Sequence, residues 1–399
     1  MANTLLTVDE ITRESLRVLH QKTTFLGSIN RQYDKSFAQE GAKIGSALRI
    51  RKPNQYMIRT GRTMSANDVV EQSVTLNVTN QAGVDLNFTS ADLTLSLDDF
   101  SKRIIQPAMA VVGSYMEATV LTGLTKKVYN LVDQDATAVS LLAFGLGRQK
   151  LQDNLAPDDG QRSALLSTTH EVKLVDALKG LFHQSTAIDQ QYREGVMGRT
   201  QGFEFMSSTH ALDHTTGTAA QGDTSYDVDG TTEDGATITV DGGTTTFLVG
   251  DVITIAGCNR VHPETKVDTG VLQQFVITDN SGGSATSLAI SPAIVVSGAL
   301  QNVSGYPTDD GAISKIGAGN VEKLNGSLVY HKDAFTVATA DLILPTGVDF
   351  AAREVFEGIS LRIIRAYDIS DDAFPCRVDV LFGYEALYPQ LAARIHADG

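Results

Sequence analysis

Near Thr215 the periodicity of the chain changes, and nothing else in its 399 residues constrains the fold as strongly. From there to about Gly326 the sequence is rich in Gly, Thr, Asp and Ser. Its apolar residues come in short β-branched runs, at 236–240, 246–249, 251–255, 272–278 and 287–290. No helical face can be drawn through runs of this kind, so they have to pair as strands. Gly250-Asp251 and Asp241-Gly242-Gly243 supply hairpin-type turns. Short strands at such spacing predict a small sandwich or barrel. Mixed helix and strand patterns flank it on both sides, so it reads as a domain inserted into another fold.

Ahead of the insert, residues 98–131 carry the longest helical pattern, with Phe100, Ile104, Ala108, Val111, Tyr115, Val120, Leu124, Val128 and Leu131 recurring every three or four positions. Ser96, Asp98 and Asp99 suit its start. Such a helix would extend roughly 50 Å at 1.5 Å per residue, kinked or restarted at Pro107, which cannot donate a backbone bond. Residues 46–88 predict a long two-stranded hairpin: Leu48 and Ile50, Tyr56 and Ile58, then Val74, Leu76, Val78 and Val84, Leu86, Phe88 alternate with polar neighbours around a turn at 60–67. A lone hairpin is marginal in water, so this one needs a second surface, such as a neighbouring copy. Residues 8–20 predict a short amphipathic helix and 31–45 an extended arm. Helices are expected at 141–155 and 170–182, a strand at 163–167, and a turn followed by extended chain at 195–205. Beyond the insert, 328–344 is mixed, 360–366 and 376–382 predict strands around a turn at 370–375, and 384–395 reads as partly helical around Pro389.

A formal net charge of −15 argues against general affinity for nucleic acid or acidic membranes. The charge is unevenly spread. Arg49, Arg51, Lys52, Arg59 and Arg62 lie in a stretch with no acid between Lys43 and Asp68, whereas between Asp223 and Lys323 acids far outnumber the bases Arg260, Lys266, Lys315 and Lys323. A basic arm and an acidic lobe on one chain suit copies that dock on each other, so those five basic residues are the candidate intersubunit contacts. Cys258 and Cys376 are too few for a disulfide framework or a cysteine zinc site and are expected as reduced thiols. The N-terminus lacks the basic residues and apolar core of a secretory signal, and no apolar stretch approaches the ~20 residues a bilayer requires.

No signature of catalysis emerges. There is no phosphate loop, dinucleotide fingerprint, Gly-x-Ser-x-Gly elbow or His-Glu-x-x-His. His210-Ala211-Leu212-Asp213-His214 would place two imidazoles at i and i+4 if helical, but lacks a third ligand. Asp227-Val228-Asp229-Gly230 lacks the spacing of a calcium loop, and Asp158-Asp159 and Asp371-Asp372 read as turns. The expectation is therefore a protein without catalytic residues, cofactor or metal.

The order of parts, together with Val249-Gly250-Asp251-Val252-Ile253-Thr254-Ile255-Ala256-Gly257-Cys258-Asn259-Arg260-Val261-His262-Pro263-Glu264-Thr265-Lys266, Leu361-Arg362-Ile363-Ile364-Arg365-Ala366-Tyr367-Asp368 and Val378-Asp379-Val380-Leu381-Phe382-Gly383, resembles the major capsid proteins of tailed bacteriophages. The likeness is to the podovirus coat-protein type that carries an inserted β-barrel. It covers essentially the whole chain and implies an α+β tailed-phage/herpesvirus-type capsid fold. Mapped on this sequence, it implies an N-terminal arm at 1–45, an extended hairpin loop at 46–90 lying across an adjacent subunit, and the spine helix of a peripheral domain at 91–134. It further implies an axial domain at 135–217 and 327–355, the inserted barrel at 218–326, and closing strands at 356–399. Its implied partners are other copies of itself in hexamers and pentamers, a scaffolding protein, a portal, and packaged DNA bound without sequence specificity. It implies no membrane partner and a place in the virion, after assembly in the host bacterial cytoplasm. The resemblance also implies a precursor shell that expands on packaging. Some such shells are welded by Lys–Asn isopeptide bonds. Lys52 would offer the amine, but no Asn lies between Gly326 and Gly399, so a non-covalent shell is expected. A tail or baseplate component with a host-binding insert is the alternative, and a hydrolase with the insert as substrate domain a third.

Overall fold

In the computed structural model the described residues are 23–34, 47–59, 61–64, 71–89, 106–178, 198–210, 212–223, 225–230, 232–317, 319, 322–348, 350–356 and 359–398. Residues 8–20, most of the arm at 31–45, the start of the predicted long helix and residues 179–182 lie outside them. The chain divides into two compact units, Met1–Ile50 with Ser73–Leu121 and Phe335–Glu385, and Arg51–Gln72 with Thr122–Ala334 and Ala386–Gly399.

In chain order the strands begin with β1 (Asn30–Asp34), β2 (Ala47–Arg51), β3 (Ser73–Asn77) and β4 (Asn80–Thr89), followed by helix α1 (Gln106–Thr125). Then come β5 (Leu131–Ala138), α2 (Leu141–Asp153), β6 (Arg162–Ser167), α3 (Thr168–Leu178), β7 (Arg199–Thr200), β8 (Phe203–Ser208) and β9 (Leu212–Thr215). The insert holds β10 (Tyr226–Val228), β11 (Gly235–Asp241), β12 (Val252–Val261), β13 (Asp268–Ile277), β14 (Ser287–Ile294) and β15 (Ala312–Ile316). The chain closes with β16 (Glu322–His331), β17 (Phe335–Ala340), β18 (Phe350–Phe356), β19 (Ile359–Arg365), β20 (Ala373–Ala386) and β21 (Ala392–Asp398).

The first unit is built on a six-stranded sheet in the order β1-β17-β20-β19-β18, with β4 also paired to β20. Here the extended segment of the sequence divides. β2 and β3 pair as a separate ribbon, while β4 runs antiparallel to β20 in continuous register from Asn80–Phe382 to Thr89–Ala373. Leu48 and Ile50 on the ribbon turn toward Leu76, Val78, Ala338 and Ala340. Gly383 marks a close crossing, because a Cβ there would overlap the Asn77 carbonyl.

Helix α1 buries Ala108, Met109, Val112, Met116, Val120 and Leu124, and leaves Val111 and Tyr115 exposed. Among the described residues it is shorter than the pattern predicted: about 30 Å, ending at Thr125. Pro107 stands in its first described turn. Val128 and Leu131 continued the apolar spacing because they are buried, not because they are helical. Leu131 already lies in β5 and packs with Tyr129, Val252 and Val276.

The second unit carries a seven-stranded sheet, β5-β21-β16-β6-β8-β7 with β9 also on β16. Helices α2 and α3 pack on it around Phe144, Leu151, Leu166, Leu174, Phe205 and Ile395. β21 contradicts the partly helical reading of 384–395. Only Pro389–Leu391 make a single 3₁₀ turn, and β21 then lies between β5 and β16, buried on both faces and so without period.

The insert is a closed six-stranded barrel, β10-β11-β14-β13-β12-β15. Alternating residues such as Ile238, Val240, Ile253, Ile255, Phe275, Ile277, Leu288 and Ile290 fill it. Its longest hairpin, β12–β13, slips register between Thr254 and Asn259. Gly257 absorbs this with φ +88°, where a Cβ would press on Thr308 Oγ1 at 2.6 Å. The strands that lead into and out of the barrel pair with each other, Thr215 with Glu322 and Leu212 with Gly326. Beside this stem the Gln274 carboxamide imitates a strand residue, accepting from Leu131 N at 2.9 Å and donating to Leu131 O at 3.1 Å. Lys150 Nζ also donates to Gln274 Oε1, at 2.8 Å, and Arg260 pairs with Asp153 at 2.9 Å.

Candidate functional site

The basic stretch starts on the β2–β3 ribbon. With Leu48 and Ile50 facing inward, Ala47, Arg49 and Arg51 are the exposed face of β2. Arg49 Nε donates to Ser73 Oγ at 2.8 Å, and Arg51 lies 3.7 Å from Glu71, both side chains well exposed. After Arg51 regular structure ends among the described residues, and the chain stays exposed through Met64 apart from half-buried Lys52. Lys52 is fixed by its backbone bond to Gln72 O at 2.8 Å and by its ammonium 5.2 Å from the centre of the Tyr388 ring. Arg59 curls back onto the Gly61 and Thr63 carbonyls, and Arg62 is exposed.

The structure thus puts Arg49 and Arg51 side by side on one face and leaves Lys52, Arg59 and Arg62 strung along the following loop. Tyr56 and Ile58, which alternation suggested as a strand, are not in one; they are 69% and 81% exposed, and Met64 is 83% exposed. These apolar residues are what sequence reasoning missed as contact candidates. Alternation cannot tell a strand face from an exposed stripe. Exposed apolar side chains interleaved with cations, and no acid, make a surface suited to covering by an acidic partner.

The insert offers the opposite sign, because its acids outnumber its bases, and three of its cations are held locally. Arg260 is held by Asp153, Lys266 Nζ donates to Gln301 O at 3.1 Å, and Lys315 is buried with Nζ donating to Ala219 O at 2.9 Å. The Asp-rich turns hold the backbone rather than an ion: Asp309 accepts from Gly230 N and Glu233 from Thr239 N. Among the described residues no group of three His, Cys, Asp or Glu could hold a metal, and no helix is long and apolar enough to cross a membrane. Cys258 and Cys376 are free thiols, and burial pushes Cys258 up to about 12.

The pair His210 and His214 does not form a helical metal motif, since β9 is extended. His214 instead turns into the root of the barrel, where its Nε2 meets Asp251 Oδ1 at 2.8 Å. The other Asp251 oxygen accepts from Gly217 N and Leu248 N, each at 2.9 Å. Arg394, wholly buried, donates to Gly250 O at 2.8 Å. Burial opposes ionisation of Asp251, but its hydrogen bonds to His214, Leu248 and Gly217 and the Lys315 charge prevail and hold its pKa below 3.8. Burial lowers His214 below its ordinary 6.5 against the pull of Asp251, and lowers Arg394 to about 10.

These shifts set a sign. The unfolded chain takes up the His214 proton more readily than the folded one, so stability is full above pH 6.5 and falls as pH drops below it. The Asp251 contribution is present above pH 3.8 and lost as pH falls through its depressed folded value. Unfolding followed by circular dichroism from pH 8 downward is expected to show a loss of stability beginning near 6.5, and a flat profile to pH 5 would refute it.

A family model described as "P22 coat protein - gene protein 5" matches residues 29–394 of the chain. None of the curated protein sequences compared with the chain matches it. Among solved structures, one of Mycobacterium phage Che8 is similar with a TM-score of 0.47 and 10% identity, covering 94% of this chain and 90% of its own. The capsid structure of the cyanophage P-SCSP1u is similar with a TM-score of 0.46 and 11% identity, covering 95% and 89%. The asymmetric unit of the bacteriophage PhiM1 mature capsid gives 0.44 and 11%, covering 94% and 87%.

Proposed function

The chain belongs to the P22 coat protein family, whose model spans residues 29–394, and on that premise we propose how it builds its shell. It is a phage coat protein, a structural part of the virion. Copies associate as hexamers and pentamers in the cytoplasm of the host bacterium, guided by a scaffolding protein and joined to a portal. The precursor shell expands as DNA enters, and the DNA is enclosed without sequence-specific contacts. No catalytic step is part of this reading.

The observation that carries it is the exposed basic and apolar stretch from Arg49 to Met64 on a chain of net charge −15. A second copy supplies the acids that the stretch lacks. In this reading the stretch 51–72 between β2 and β3 reaches over the adjacent copy, while β4 stays on its own chain's sheet, α1 forms the spine, and the insert at 218–326 stands apart from the shell floor. The test is expression of the full chain, alone and with its neighbouring genes, followed by negative-stain microscopy. Closed shells or capsomer-sized rings are expected; a monomer that assembles under neither condition would overturn the proposal, and open tubes would favour a tail component.

The shell is held non-covalently. Without Asn after Gly326, Lys52 has no carboxamide there to acylate it, and its ammonium is engaged over Tyr388. Denatured particles on a reducing gel are expected to give one band at monomer mass; a ladder of multiples would refute the idea.

A further inference from the structure

A void of about 10 Å³ lies at the root of the barrel, lined by Lys126, His214, Ser327, Arg394 and His396 among others. It is just large enough for one water. Two polar atoms of its lining residues have no hydrogen-bond partner: His214 Nδ1 and Arg394 Nε. Both residues are deeply buried, 6% and 4% exposed. A buried donor and a buried acceptor left open on residues of one lining call for an occupant.

The tautomer decides which occupant. Nε2 of His214 faces the Asp251 carboxylate at 2.8 Å and therefore carries a hydrogen. In the neutral ring Nδ1 is then a bare acceptor, and a water that donates to it while accepting from Arg394 Nε satisfies both. Once His214 is protonated, Nδ1 becomes a donor, and the donors of His214 and Arg394 both lack an acceptor. A third positive charge has joined Lys126 and Arg394, with Asp251 the carboxylate facing His214, Lys315 acting on Asp251, and His396 on the far strand. An anion answers both deficits, and the size of the void admits one atom, not a phosphate or sulfate.

We propose that this void exchanges one water for one chloride ion when His214 takes up a proton. One H⁺ and one Cl⁻ enter and one water leaves, so the net charge of the barrel root is unchanged. Its lining comes from the end of α1 with Lys126 and from β9, β16 and β21. His214 and Arg394 bond Asp251 and Gly250 at the entry to the barrel, so the ion ties the insert to the sheet under acidic conditions and offsets the acid-side loss of stability described above.

The test compares unfolding of the full, unassembled chain in sodium chloride and in sodium gluconate, whose anion is too large for the void, at matched ionic strength. As pH falls through the depressed folded value of His214, which lies below 6.5, the logarithm of the unfolding constant should fall with the logarithm of chloride concentration with a slope approaching one ion, and gluconate should give none. At pH 8 the two salts should coincide. His214→Gln keeps a donor toward Asp251 but cannot titrate, and should abolish the chloride dependence. If that variant does not fold, bromide soaked into crystals of the unaltered chain decides: anomalous density in the void at low pH and not at pH 8 supports the proposal. Equal effects of both salts, a chloride dependence retained in His214→Gln, or bromide in the void at both pH values would each overturn it.

Discussion

Replacing Asp251 with alanine is expected to destabilise the second unit by about 3–5 kcal/mol, the range for breaking a buried charged pair. The carboxylate is enclosed and accepts from His214 Nε2, Gly217 N and Leu248 N. Its removal strands three donors, each worth roughly 1–3 kcal/mol when left dry. It also removes a negative charge that acts on buried Lys315 and Arg394. Asp251→Asn keeps one acceptor oxygen and should lose distinctly less. Because Gly217 is the point where the chain leaves β9 for the barrel, proteolysis near 217–219 should accelerate in the alanine variant before the barrel itself is cut. Urea unfolding by circular dichroism gives the magnitude; a loss under ~1 kcal/mol would mean that Asp251 does not hold the root together.

The second large effect is on assembly rather than on folding. Reversing Arg49 and Arg51 together to Glu is expected to prevent closed shells while the separate chain keeps its circular dichroism spectrum. Within one chain the bonds of these residues are exposed, to Ser73 at 2.8 Å and to Glu71 at 3.7 Å, and such pairs contribute only ~0–1 kcal/mol. The monomer therefore loses little. Between copies the same pair of charges recurs at every contact of the shell, so a small loss per contact multiplies. Single reversals should only slow assembly, a graded response that also lets misplaced copies leave. Shells formed at normal yield by the double variant would count against the basic stretch as a contact surface.

The barrel was legible because its strands are half-buried, so Ile238 and Val240 or Ile253 and Ile255 show the two-residue period directly. The closing strands around 359–365 and 373–386 were legible for the same reason. Legibility failed where burial and secondary structure part company. Val128 and Leu131 kept a helical spacing past the end of α1 because the core beside the barrel needed apolar residues there. Residues 392–398 carry no period because β21 is covered on both sides. Tyr56 and Ile58 alternate with no sheet to face. The His214–Asp251 pair was beyond reach altogether: its members stand 37 positions apart, and no local pattern announces a contact made by the closure of a fold. Of the proposed contact surface, the cations were visible as a run without acids, whereas the exposed apolar residues among them were mistaken for a strand.

The pairing of Thr215 with Glu322 and of Leu212 with Gly326 makes the barrel a detour whose beginning and end lie side by side. A detour of that kind imposes no distance on the host fold: it can lengthen or shrink at its far end, and an exchanged module has to replace only the contacts that Asp251, Val252, Arg260, Gln274 and Val276 make beside the stem. Lineages sharing the host fold are therefore free to diverge most in what they carry on this stem, and a grafted cassette of foreign sequence with adjacent termini has a ready socket between β9 and β16.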